Sequence, residues 1–140
     1  MVNWVLRGAV LLWALFFVIV GARGLFDPAS YAETFGIVVE GVATNTIRAD
    51  LSAFFLVAAV SAAIGALVPG WVRALLVPAA LYGTALAGRL FGVASGDPVN
   101  SGIVQAMIIE ALTVLLMVGS WWVLSRPAVA PADGSADIVH

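Results

Sequence analysis

Four long stretches of this chain are almost free of polar residues, and the segments between them are short, polar or rich in glycine and proline. The stretches run from about Trp4 to Gly24, Thr46 to Val68, Trp71 to Phe91 and Ile103 to Leu124. Each is long enough to cross roughly 30 Å of hydrocarbon at about 1.5 Å per residue, so each predicts a transmembrane helix. Pro69-Gly70 is the only spacer between the second and third, which predicts a tight antiparallel hairpin. The first connection, Phe26 to Asn45, is longer. Its Asp27-Pro28 offers a cap and a first helical residue, and predicts a short interfacial helix. Pro78 removes a backbone donor inside the third span and predicts a bend or loosening in its first half.

The expected fold class is therefore all-α: a polytopic membrane protein, with one four-transmembrane-helix antiparallel bundle over 1–126. The tail over 127–140 has too little bulk to pack and is expected to be a disordered polar segment. The first stretch closes on Gly21-Ala22-Arg23-Gly24 without a small-x-small cleavage pattern, so it reads as a retained helix and not a signal peptide.

Composition agrees with the pattern. Of 140 residues, 63% are hydrophobic and 10% charged, and the mean hydropathy is +1.10, far from the balance of a soluble domain. All six basic residues are arginines and the net charge is -2, which excludes the basic surface that nucleic acid requires. With no cysteine, and a single histidine at His140 in the tail, neither a metal nor another cofactor is expected. The expected partners are membrane lipids, a small lipophilic molecule and, through small-residue stripes, a second copy of the chain. Those stripes, Ser61 and Gly65 in the second span and Ala79, Gly83 and Ala87 in the third, allow close backbone approach; contacts within the bundle are the favoured use.

Arg7, Arg73 and Arg126 fall on the side of the termini, against Arg23, Arg48 and Arg89 on the other. If Arg48 and Arg89 are pocket residues, the bias is three to one and puts both termini in the cytoplasm. Trp4, Trp71, Trp121 and Trp122 mark the terminal side as an interfacial belt.

Four charges stand apart from this apolar background: Arg48, Asp50, Arg89 and Glu110. A charge near the centre of a membrane helix costs about 2.5 to 3.5 kcal/mol, so such residues are usually paired, hydrated or functional. In an antiparallel bundle all four share the membrane half opposite the termini. Glu110 is expected to pair with Arg89 or Arg48. Arg48 and Asp50 lie about 200° apart around a helix and cannot share one face; near a helix start, Asp50 also suits the positive end of the dipole. As a catalytic set, Glu110 and Asp50 would act as acid and base, with Arg89 and Arg48 tuning them. Tyr82, Gln105, Met107 and Thr113 are the candidate ligand-binding residues, Met107 giving one face of the fourth span a soft wall.

Asn45-Thr46-Ile47-Arg48-Ala49-Asp50 opening the second span, Ala87-Gly88-Arg89 closing the third and Glu110 in the fourth together resemble the DUF4345 family of small bacterial four-helix membrane proteins, similar in outline to DoxX-like proteins. The resemblance covers most of residues 5 to 124. Where related sequences carry glycines after the Arg-Ala motif, this chain has Ser52-Ala53. The resemblance implies a four-helix fold, a charged set and a bacterial inner-membrane location, and no reaction.

Two functional readings follow. In one, the charges line an intramembrane pocket for a lipophilic molecule, in its sharper form an acid-base isomerase, cyclase or epoxide-opening enzyme acting on a lipid or terpenoid. In the other, the chain is a non-catalytic structural or accessory subunit whose salt bridges pin the helices in register.

Overall fold

The computed structural model describes residues 2–126, and the predicted polar tail over 127–140 lies outside them. Among the described residues the chain is helical without strands: α1 (Val2–Phe26), α2 (Ala29–Phe35), α3 (Val42–Leu67), a 3-10 turn (Val72–Leu75) leading directly into α4 (Leu76–Ala94), and α5 (Ser101–Leu124). α1, α3, α5 and the continuous segment Val72–Ala94 are each long and apolar enough to cross a membrane.

The breaks between helices follow local chemistry. After α1 the carbonyl of Asp27 accepts the N–H of Ser30 at 3.1 Å and its hydroxyl at 2.7 Å. The short α2 begins there, engaged by the Asp27 main chain with no side-chain cap. It stops at Gly36, whose φ of 64° is left-handed and whose N–H bonds the Ala32 carbonyl, a helix end that favours glycine. α3 starts at Val42, several residues before the apolar run. Asp50 therefore sits in its third turn, beyond the reach of the dipole's positive end, which fades within the first turn. Asp97-Pro98 is followed by irregular chain, and Asn100 caps α5 by accepting the Ile103 N–H at 2.9 Å. The irregularity expected from Pro78 falls just before it, over Val72–Leu75. The Ala74 carbonyl is the one that a proline at 78 cannot serve in α-helical geometry.

Two buried clusters hold the helices together. One gathers Val10, Ala62, Ala66, Leu75 and Met117, with Leu11, Val72, Trp121 and Leu124 packed around it. The other gathers Phe17, Tyr31, Phe55, Ala58, Ala59 and Tyr82. The most extensive contact is between α1 and α3, made possible by small side chains: Ala58, Ala62 and Ala66 are fully or almost fully buried. Gly65 lets the start of the next segment close in, since a Cβ there would stand 2.8 Å from Leu75 Cγ. The predicted stripes are thus displaced. Gly65 belongs to the close face but Ser61 is only half-buried; on α4, Ala79 is buried, Gly83 half-buried and Ala87 exposed.

Two arginines tie helix ends together reciprocally. Arg7, near the start of α1, donates through Nη1 to the Ala66 carbonyl near the end of α3. Arg48, near the start of α3, donates through Nη1 to the Leu25 carbonyl at the end of α1, at 2.6 Å. The last carbonyls of a helix lack intrahelical donors and carry the negative end of its dipole, so a guanidinium satisfies both needs. Outside, the bundle is apolar: Leu12, Leu15, Phe16 and Ile19 of α1 and Ile108, Leu112 and Leu115 of α5 are all exposed.

Candidate functional site

On α5 the buried positions are Glu110, Thr113, Met117 and Ser120. Their spacing of three, four and three residues puts them on one helix face, which makes the inward face of α5 the most polar surface of the core.

Glu110 is only 5% exposed. Its Oε1 accepts a hydrogen bond from Arg89 Nε at 2.8 Å. The two partners are unequal, the Arg89 side chain being 33% exposed and that of Glu110 7%. α4 supplies the arginine close to its C-terminal end, and its long stem reaches across to the carboxylate one helix away. The pair is made through a single N–H and a single oxygen: Glu110 Oε2 is buried and has no hydrogen-bond partner among the described residues. The buried Tyr82 hydroxyl is likewise unpartnered among the described residues.

Aromatic rings wall this polar spot. Trp13 donates from Nε1 to Thr113 Oγ1 at 2.9 Å, and its ring lies 4.5 Å from Phe17 and 5.4 Å, edge-on, from Tyr82. Phe54 lies 5.0 Å from the Tyr82 ring on another side. The Thr113 hydroxyl is therefore engaged, whereas the Tyr82 hydroxyl, equally deep, is not.

A cleft of about 400 Å³ opens beside Arg89, between the end of α4 and the start of α5, lined by Gly88, Gly92, Val93, Asp97, Val99 and Ile103 among others. Glycines shape it: a Cβ at Gly92 would stand 2.6 Å from Asp97 Oδ2, whereas one at Gly88 would meet nothing within 4 Å. Arg89 forms part of the wall and Glu110 does not. With Nε committed to Glu110, the two terminal nitrogens of Arg89 remain as donors without a partner among the described residues. Asp97 on the same wall adds a second carboxylate, leaving the locality without net positive charge.

Of the eight residues singled out in the sequence, the structure joins Glu110 to Arg89 and places Tyr82 and Thr113 beside them. It corrects the alternative pairing of Glu110 with Arg48, whose Nη1 bonds the Leu25 carbonyl instead. Asp50 is exposed and hydrogen-bonds to none of the other three charges. Gln105 is exposed and Met107 half-buried; neither lines the cleft. Sequence reasoning missed Trp13, Gly92 and Asp97. A tryptophan in mid-span was a usable signal, because its N–H must find a partner when buried. No protein-family model, curated protein or solved structure matches this chain.

Proposed function

We propose that this chain is an integral membrane protein, an antiparallel four-span bundle, that binds a small lipophilic molecule at the Arg89–Glu110 pair. Membrane insertion is supported by the exposed apolar surface of the four long helices, which water would not tolerate over such an area. The antiparallel reading is supported by the reciprocal bonds of Arg7 and Arg48, each joining the start of one helix to the end of the other.

The observation that carries the functional reading is the unpartnered Oε2 of Glu110. A buried ion pair stabilises a fold only when its geometry is good and its remaining lone pairs are satisfied. Here one oxygen is left bare, which is a poor device for pinning helices and a common feature of functional sites. Arg89 offers donors to the cleft, while Glu110 and Asp97 offset its charge. The ligand class that fits is accordingly a neutral lipophile with a hydroxyl group, such as an alcohol, which can accept from Arg89 and donate to a carboxylate oxygen, its apolar body against Val93, Val99 and Ile103. The catalytic version, with Asp50 as partner acid or base to Glu110, draws no support from the exposure of Asp50. The structural alternative is favoured at Arg48, whose bond is to a helix-end carbonyl.

Membership of the DUF4345-like family and a bacterial inner-membrane location are part of the proposal. Cytoplasmic termini rest on Arg73 and Arg126 against Arg23, once Arg7, Arg48 and Arg89 are set aside as engaged in helix contacts. Mass spectrometry of small molecules that co-purify with the protein in mild detergent tests the reading. A lipophile carried by the wild type and lost from Glu110→Gln supports it, and an identical set on both removes it.

A further inference from the structure

At the opposite end of the molecule a second cleft, of about 530 Å³, lies between the start of α1 and the end of α3, lined by Trp4, Arg7, Gly8, Leu11, Ala66, Leu67 and Pro69. Its chemistry is divided. Leu11, Leu67 and Pro69 make its apolar part, Trp4 is 80% exposed, and among the described lining residues the one charge is Arg7. One N–H of that guanidinium goes to the Ala66 carbonyl. A guanidinium carries five such donors, and the rest have no protein partner among the described residues.

The setting reinforces the charge. The segments that converge around the Val10, Leu75 and Met117 cluster bear Arg7, Arg73 and Arg126, and residues 2–11, 67–76 and 116–126 contain no aspartate or glutamate. Arg126 is held against the Trp122 ring, 4.0 Å from its centroid, and Arg73 is exposed. Every carboxylate of the helices and their connections belongs to other segments: Asp27, Glu33, Glu40, Asp50, Asp97 and Glu110. Trp4 and Trp71, 62% exposed, mark this end as the level of the headgroups, where amphipathic rings settle.

We infer that the Arg7 cleft is a binding site for an anionic phospholipid, with the phosphate on the free guanidinium N–H groups and an acyl chain along Leu11 and Leu67. The inference rests on the membrane reading above and is independent of the Arg89–Glu110 ligand. Charge selects this occupant: a fixed arginine at an end whose described segments carry no carboxylate favours a phosphate. The apolar part adds a requirement for acyl chains that a free phosphate does not meet. Arg7 thereby serves two acceptors, the last turn of α3 and the lipid, so a bound lipid would strengthen the join between α1 and α3.

The test uses the full chain in nonionic detergent, titrated with phosphatidylglycerol or phosphatidylcholine and read by native mass spectrometry. The wild type is expected to retain phosphatidylglycerol about five-fold more than phosphatidylcholine, the order expected of one arginine facing an anionic lipid. Arg7→Gln is expected to abolish the preference and Arg73→Gln, outside the cleft, to keep it. Because Arg7 also bonds Ala66, Gly8→Leu supplies a second variant: a Cβ at Gly8 meets nothing within 4 Å, so the helix accepts the residue while its bulk fills the cleft. It should lose the lipid with α-helical circular dichroism unchanged. Equal retention of both lipids, equal loss in Arg7→Gln and Arg73→Gln, retention in Gly8→Leu, or equally tight binding of glycerol 3-phosphate would each overturn the site. Alkaline carbonate extraction of membranes from cells expressing the chain separates the two readings. Release of the protein removes the membrane reading, whereas full retention together with no lipid preference removes the Arg7 site alone.

Discussion

Arg48 and Leu25 are joined by a 2.6 Å hydrogen bond from guanidinium Nη1 to backbone carbonyl, which ties the start of α3 to the end of α1 and takes Arg48 out of the Glu110 cluster. Its role is structural, so Arg48→Gln should destabilise the protein by about 1 kcal/mol, the value of a partly exposed charge-assisted bond. Thermal unfolding in detergent should show a lowered midpoint, and mass spectrometry should find the proposed lipophile retained as in the wild type. Loss of the lipophile at unchanged stability would return Arg48 to the pocket.

Two glycines in helices should respond oppositely to alanine. At Gly24 a Cβ would fall within the ring of Tyr31, a residue 2% exposed and bonded to Ser52 Oγ at 3.1 Å. Gly24→Ala should therefore destabilise by about 1 to 3 kcal/mol through overpacking. Gly88→Ala meets open space and should be neutral or stabilise by up to about 1 kcal/mol through helix propensity. Unfolding midpoints of the two variants decide this; a stabilised Gly24→Ala would contradict the packing of α2 on α1.

Thr113→Val keeps the shape of the side chain but leaves Trp13 Nε1 without its acceptor. The expected loss is about 1 to 3 kcal/mol, the desolvation of a buried donor. A simultaneous Trp13→Phe should recover part of it, because the orphaned donor goes too, and a double-mutant cycle reads the coupling.

The Arg89–Glu110 pair should be asymmetric. Arg89→Gln strands a carboxylate that is 7% exposed, whereas Glu110→Gln leaves a guanidinium that is 33% exposed and reaches the cleft. The first should cost about 3 to 5 kcal/mol and the second distinctly less. The double variant Arg89→Met with Glu110→Met removes both charges and should be neutral or stabilising. If it unfolds instead, the pair is what holds the bundle.

The four long helices were legible because uninterrupted apolar length needs no knowledge of neighbours, and α2 because Asp27-Pro28 marks its start locally. That Glu110 pairs with an arginine was legible from charge balance, with Arg89 as one of two expected partners. The fate of Arg48 was not: its acceptor is a backbone carbonyl, an atom every residue carries and no composition reveals. Asp50 was misplaced because α3 extends back to Val42 through Ala43-Thr44-Asn45, polar and small residues that an apolar count leaves out. The contact of Gly92 with Asp97 depends on a turn between α4 and α5 that no period encodes.

The central claim is that the cleft beside Arg89 holds a lipophile, and Gly88→Leu tests it most directly. That residue lines the cleft, its Cβ has free space, and the substitution leaves Arg89 and Glu110 in place. Mass spectrometry of the purified variant should find the lipophile of the wild type missing while the unfolding midpoint stays the same or rises. The same lipophile retained in full by a folded Gly88→Leu would contradict the account.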